Sequence, residues 1–117
     1  MGSRWRVSGA ALCSSIVLAG CQSVPPPTPL GELTAPEASG YRLFQARCAS
    51  CHYDRVAGSL HGPGLRGIFK KKYLPSGAPA NDDRVSATIL HGHNLMPAQA
   101  DTHDQDLADL LAYLHTL

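Results

Sequence analysis

Cys48 and Cys51 are separated by two residues, and His52 follows the second cysteine at once, in the stretch RCASCHYD over 47–54. Three chemistries use such residues: a redox dithiol, a zinc site, and covalent attachment of haem. A thioredoxin-like dithiol belongs beside a βαβ pattern, and no such alternation is present. Zinc needs about four ligands, usually as two pairs of Cys or His. His61, His91 and His93 are at hand, but the chain has no second C-x-x-C and no H-x-x-x-H. Haem attachment uses all three residues. Each thiol adds across one vinyl group of the porphyrin, and two intervening residues on one helical turn match the vinyl spacing. The next residue then faces the iron, and C-x-x-C-H is the pattern of c-type attachment. The expectation is one covalent haem c held by Cys48 and Cys51, with His52 as the proximal ligand.

A sixth ligand has to come from elsewhere in the chain. Methionine occurs only at 1 and 96, and Met96 lies in GHNLMPA, directly before Pro97. A lone methionine is ordinarily an adaptable core filler. A loop methionine before proline and between two helical segments is poorly explained that way. His/Met ligation is a known pairing that raises the potential. His91 and His93 compete for the position and would give a bis-His haem of lower potential. Outside that role they are polar surface or propionate-side residues, and His61 is a loop residue.

These side chains need elements to position them. TAPE offers a capping box, Thr34 with Glu37, and Pro36 is tolerated in a first turn. A helix is expected from about Ala35 to Cys48, with Gly40, Phe44 and Cys48 on one face. Glycine inside a helix costs about 0.5–1 kcal/mol relative to alanine, tolerable where a second helix must come close. From His52 to Asp82 the chain is dense in Gly and Pro, as in HGPGLRGIF and LPSGAPANDD, and reads as loop. A loop of this length is unusual in a small domain unless it wraps a ligand. DDRVSATILHG reads as a short helix, acidic at its start and stopped by Gly92. Thr102 and Gln105 suggest a second capping box, followed by Leu107, Leu110, Leu111 and Leu114 at i, i+3, i+4, i+7. The fold class is all-α, three to four helices joined by long loops.

Length and composition frame this domain. Of 117 residues, the first twenty combine Arg4 and Arg6 with an apolar run from Val7 to Ala19, which has the form of an export signal. LAGC, residues 18–21, resembles the bacterial lipobox, which implies cleavage before Cys21 and a diacylglycerol on its thiol; Cys13 leaves with the signal. Residues 1–20 are thus expected as a lipoprotein signal peptide. Residues 21–33 hold most of a proline-rich run and are expected as a lipid-anchored, extended tether. Residues 34–117 are the domain. A glutamine at 22, after the lipid cysteine, is associated in enteric bacteria with the outer membrane, so which membrane holds the anchor stays open. Export places the protein in the periplasm, where thiols are oxidised or otherwise committed. Without the signal, eight Lys and Arg face nine Asp and Glu, so charge gives no argument for nucleic acid. A domain this small is marginal on its own core and needs a staple, which a large apolar cofactor supplies.

The domain resembles a class I, monohaem cytochrome c over essentially all of 35–117. GYRLFQARCASCH matches that family's Gly, Phe and CxxCH helix. GPGLRGI, 62–68, resembles its proline loop, which implies that the Pro63 carbonyl accepts a hydrogen bond from the proximal imidazole. ILHGHNLMPA resembles the segment bearing the methionine ligand. DLLAYLHTL resembles the last helix, with Leu110 and Tyr113 packing on Gly40 and Phe44. The chain departs from some members in lacking a tryptophan after the signal; Tyr73, Arg66 and Asn94 are the candidates to hold a haem propionate in its place.

The resemblance implies an electron carrier rather than an enzyme, on its own or as the cytochrome subunit of an oxidoreductase. With His52 and Met96 both on the iron, no position is left for substrate, and outer-sphere transfer follows. Partners would be redox donors and acceptors: a respiratory complex, an oxidase or an exported dehydrogenase, met briefly through small interfaces. Lys70 to Lys72 form a candidate docking patch, otherwise a solvated loop. A different class of function, a haem sensor or peroxidase-like protein, requires a displaceable sixth ligand.

Overall fold

The computed structural model describes residues 1–2 and 23–117. Cys21, and the expected signal apart from its first two residues, lie outside the described residues. Among the described residues three helices form the framework: α1 (Ala35–Arg47), α2 (Asp82–His91) and α3 (Asp104–His115). Single 3-10 turns occupy Leu30–Glu32 and Ile68–Lys70. Among the described residues, β pairing is limited to two isolated bridges, Tyr73 with Pro79 and His93 with Met96. The expected all-α class is what the chain adopts.

The α1–α3 crossing is the main interface. Thr34 caps α1 in a capping box, its amide donating to Glu37 Oε2 at 2.7 Å, so the box satisfies two of the free first-turn donors. Gly40 is buried at the crossing. A Cβ built there would lie 2.6 Å from the Asp109 carbonyl carbon and 2.8 Å from Tyr113 Cβ. Backbone meets backbone at this point, and only glycine leaves the room. One turn on, Phe44 is 1% exposed and Tyr113 0%. Their ring centroids are 5.9 Å apart, and Tyr41 meets Tyr113 edge-on at 5.3 Å, the geometry that aromatic quadrupoles favour.

Helix α2 begins one residue after Asn81, whose side chain accepts from the Arg84 amide at 3.0 Å. Asp82 and Asp83 occupy its first turn, Val85 and Ile89 are buried, and Gly92 ends it at φ 74°. Helix α3 departs from expectation at its start. The N-cap is His103, with no side-chain cap. Thr102 is buried, its amide closes a turn on the Gln99 carbonyl at 3.0 Å, and it lies one residue before the N-cap. Gln105 reaches forward to Asp109 Oδ1 at 2.8 Å instead of back. The leucine stripe behaves as expected: Leu110 and Leu114 are buried, with Leu107 and Leu111 packed around them. Each fully buried leucine contributes about 1.5–3 kcal/mol over exposure.

His115 near the end of α3 pairs with Asp82 at 2.7 Å and stacks on Phe69 at 3.8 Å, joining α3, α2 and the long loop. The proline-rich segment behaves differently from a free tether. The Thr28 amide donates to the Thr116 carbonyl at 2.9 Å. Arg55 and Arg66 donate to the carbonyls of Thr28 and Val24 at 2.6 and 3.5 Å. Prolines lack an amide but keep an accepting carbonyl, so a proline-rich strand can lie on a domain that offers donors.

Candidate functional site

Cys48 caps the C-terminus of α1, its amide bonded to the Phe44 carbonyl at 2.8 Å. The chain then folds back on itself. The amides of Cys51 and His52 both donate to the Cys48 carbonyl at 3.0 Å. One tight turn therefore carries both thiols and the imidazole. Both thiols are free and half-buried.

The electrostatics of Cys48 speak against a redox dithiol. Burial pushes its thiol up, Arg47 pulls it partly back, and Cys51 adds to the rise. Reactive thiolates are instead lowered, often at a helix N-terminus. Cys48 sits at the opposite end, where the helix dipole disfavours an anion. Zinc lacks a ligand set: among the described residues no three His, Cys, Asp or Glu side chains converge.

His52 is held from its far side. Its Nδ1 lies 2.8 Å from the Pro63 carbonyl, which accepts the hydrogen bond. That fixes the tautomer and leaves Nε2 free of a proton, the nitrogen able to coordinate. The loop is brought in by the Gly62 amide donating to the Cys51 carbonyl at 2.7 Å, and by Leu65 donating to Tyr53 at 2.8 Å. Gly62 lies against the imidazole: a Cβ there would lie 2.8 Å from His52 Nδ1. The GPG spelling announced a turn, but only the fold shows that its first glycine makes room for His52.

Met96 lies on a tight turn. His93 and Met96 exchange backbone hydrogen bonds of 3.1 and 2.9 Å, with Asn94 in the left-handed region at φ 51°. Gly92 lets this turn fold under the end of α2; a Cβ there would lie 2.9 Å from the Ala98 amide nitrogen. Met96 is half-buried and packs against the same core cluster as Cys48, whereas His91 and His93 are exposed. Of the residues considered for a propionate, Arg66 is engaged by Val24, Tyr73 is exposed beneath the Lys72 ammonium, and Asn94 shapes the turn. His61 is exposed on the long loop.

Two thiols on one turn, an imidazole with its second nitrogen bonded to a carbonyl, and a glycine clearing space beside the ring are a donor set that fits a covalently attached haem.

Asp54 carries a role that the sequence did not announce. It follows His52 by two residues, and its carboxylate accepts from Tyr113 Oη at 2.6 Å and from the Arg55 amide at 2.8 Å. The partner lies 59 residues away, and no local pattern connects them.

Residues 37–117 match the family described as Cytochrome c. A cytochrome c-553-like protein of Synechocystis sp. is 31% identical over 78 residues, 67% of this chain and 66% of that protein. A cytochrome c6 of Thermosynechococcus vestitus is 30% identical over 83 residues, 70% of each. Cytochrome c oxidase subunit 2 of Alkalihalophilus pseudofirmus is 29% identical over 84 residues, 67% of this chain and 25% of that protein. The chain thus spans just under two thirds of the Synechocystis protein and a quarter of the oxidase subunit.

Proposed function

From the premise that the chain belongs to the cytochrome c family, with one covalent haem c and a role in electron transfer, we propose that it is a class I monohaem carrier tethered by lipid to a membrane. When bound, the haem supplies a reversible Fe(III)/Fe(II) couple. Cys48 and Cys51 would hold it as thioethers, and His52 and Met96 would ligate its iron. The Pro63 carbonyl orients the His52 ring and, by accepting from Nδ1, raises the donor strength of Nε2. The observation that carries this reading is the 2.8 Å contact between His52 Nδ1 and Pro63, beside a glycine that any side chain would turn into a clash.

With His52 and Met96 both ligating the iron, the chain would offer no place for a substrate, and its residues would hold the couple and limit water access. Cys21 is the lipidation site in this reading, and the location is the periplasm. Donor and acceptor are redox proteins such as a respiratory complex, an exported dehydrogenase or an oxidase. The likeness to an oxidase subunit supports the last of these. Pyridine haemochrome spectra of protein made with haem-attachment machinery test the cofactor, and a missing c-type signal ends the reading. Co-purification from native membranes identifies the donor and acceptor, and radiolabelled palmitate reports on Cys21.

A further inference from the structure

The proline-rich segment is bonded to the domain along its length. Val24 and Thr28 are half-buried. The Val24 side chain lies against Gly67, a residue at φ 67° where an added Cβ would overlap the valine. Arg66 holds the Val24 carbonyl, Arg55 holds the Thr28 carbonyl, and Thr28 donates to Thr116 just past α3. Further on, Leu33 packs on the core. Opposing these contacts, Arg55 Nη1 and Arg66 Nε are buried with no partner among the described residues.

Docking changes the geometry of the anchor. Two residues separate Cys21 from Val24. At 3.3–3.6 Å per residue, that allows a reach of roughly 10 Å. The surface around Gly67 therefore stays beside whatever holds Cys21. Gly67 leads directly into the 3-10 turn Ile68–Lys70, followed by Lys71 and Lys72. These are the only lysines of the chain, and all three are exposed. Lys70 reaches the Leu117 carbonyl, and Lys72 lies over the exposed ring of Tyr73, 5.3 Å from its centroid. Asp82 and Asp83 line one groove with Phe69 and Ala80, and Asp82 is paired with His115. A basic run beside an aromatic ring suits the headgroup region of an anionic bilayer.

We propose that residues 24–33 are a docked strap, not a swinging tether, and that the strap holds the Gly67–Tyr73 face against an anionic lipid surface. The membrane half of this proposal rests on Cys21 being the lipid anchor. The domain then sits at a fixed height and orientation, so its redox partners must reach it at the membrane surface.

The test uses the full-length haem-loaded protein in nanodiscs containing anionic lipid. Residues 25–27 and 29 are prolines, so Thr28 has the one amide between Val24 and Leu30, and hydrogen exchange there reports docking without overlap. Exchange roughly tenfold or more slower than in an unstructured chain is expected; exchange at the unstructured rate overturns docking. Lysine acetylation then reports the face. Lys71 and Lys72 should react severalfold more slowly than in a variant with a Gly-Ser insertion of about ten residues after Ser23, which adds roughly 17 Å of reach. Equal rates overturn the face assignment. Intact mass of the N-terminal peptide shows whether Cys21 carries lipid. Its absence overturns the anchor and the membrane half together, while the Thr28 amide still decides docking.

Discussion

The hydroxyl of Tyr113 on α3 donates a 2.6 Å hydrogen bond to Asp54, two residues beyond His52. The last helix is thereby tied to the turn that carries the attachment residues. Tyr113 is also the residue that packs against Phe44 and Gly40 at the helix crossing. One side chain thus joins the core to the site.

Tyr113→Phe keeps the ring packing and removes the donor. A hydrogen bond to a charged group contributes about 1.5–3 kcal/mol, and a loss of that size is expected in guanidinium denaturation of the haem-loaded protein. The slope with denaturant should not change, since the surface exposed on unfolding is the same. A stability equal to that of the parent would show the bond to be energetically idle.

The same residue gives a pH dependence. Burial, then the Asp54 carboxylate it donates to, hold the Tyr113 phenol above its ordinary 10.0. Above pH 10 the unfolded chain loses this proton while the folded chain keeps it. Stability then falls as pH rises, by about 1.4 kcal/mol per unit from this group. Tyr113→Phe lacks this loss, so the gap between the two proteins should narrow between pH 10 and 12. Parallel curves over that interval would contradict the assignment.

Gly40→Ala pits two effects against each other. Alanine gains about 0.5–1 kcal/mol of helix propensity, but its Cβ would lie 2.8 Å from Tyr113 Cβ and overlap backbone of α3. Overpacking costs about 1–3 kcal/mol, so the clash wins. A fall in melting temperature of several degrees is expected by calorimetry, because about 1 kcal/mol shifts a domain of this size by about 4–8 °C.

Gly62→Ala acts on the site itself. The new methyl pushes on the His52 ring and lengthens its bond to Pro63. Haem attachment through Cys48 and Cys51 should persist, because neither thiol is touched. A weaker Nδ1 hydrogen bond makes the imidazole a poorer donor to Fe(III), so the midpoint potential should rise. Redox titration against the parent protein checks this, and an unchanged potential would mean the ring tolerates the shift.

Much of this arrangement was legible in the residues. Local physics wrote the parts that were read well. The Thr34–Glu37 box, the leucine stripe of α3 and the Gly92 stop each depend on neighbours within a few residues. Gly40 was legible because a costly glycine in a helix needs a reason, and an approaching helix provides one. The second capping box failed because Thr102 is drawn into the core, a tertiary effect absent from the local pattern. The contacts of the proline-rich segment were not legible for a related reason. Proline richness does predict extended backbone, but the donors that hold Val24 and Thr28 are Arg66 and Arg55, far along the chain. The Asp54–Tyr113 bond had no sequence signal at all.

Met96 is where the proposed ligand set can be broken most directly. Its competitors His91 and His93 are exposed, while Met96 is half-buried and packs against the core cluster. A thioether favours Fe(II) over Fe(III) relative to imidazole and so raises the potential. Met96→Ala should therefore lower the midpoint potential and turn the ferric spectrum high-spin. Cyanide or CO should then bind rapidly, because a coordination position has opened. His91→Ala and His93→Ala should leave spectrum and potential unchanged. If Met96→Ala keeps the parent spectrum, the sixth ligand belongs to His91 or His93. If instead the parent protein is already high-spin and binds CO rapidly, the sensor-like reading with a displaceable ligand takes the place of the carrier.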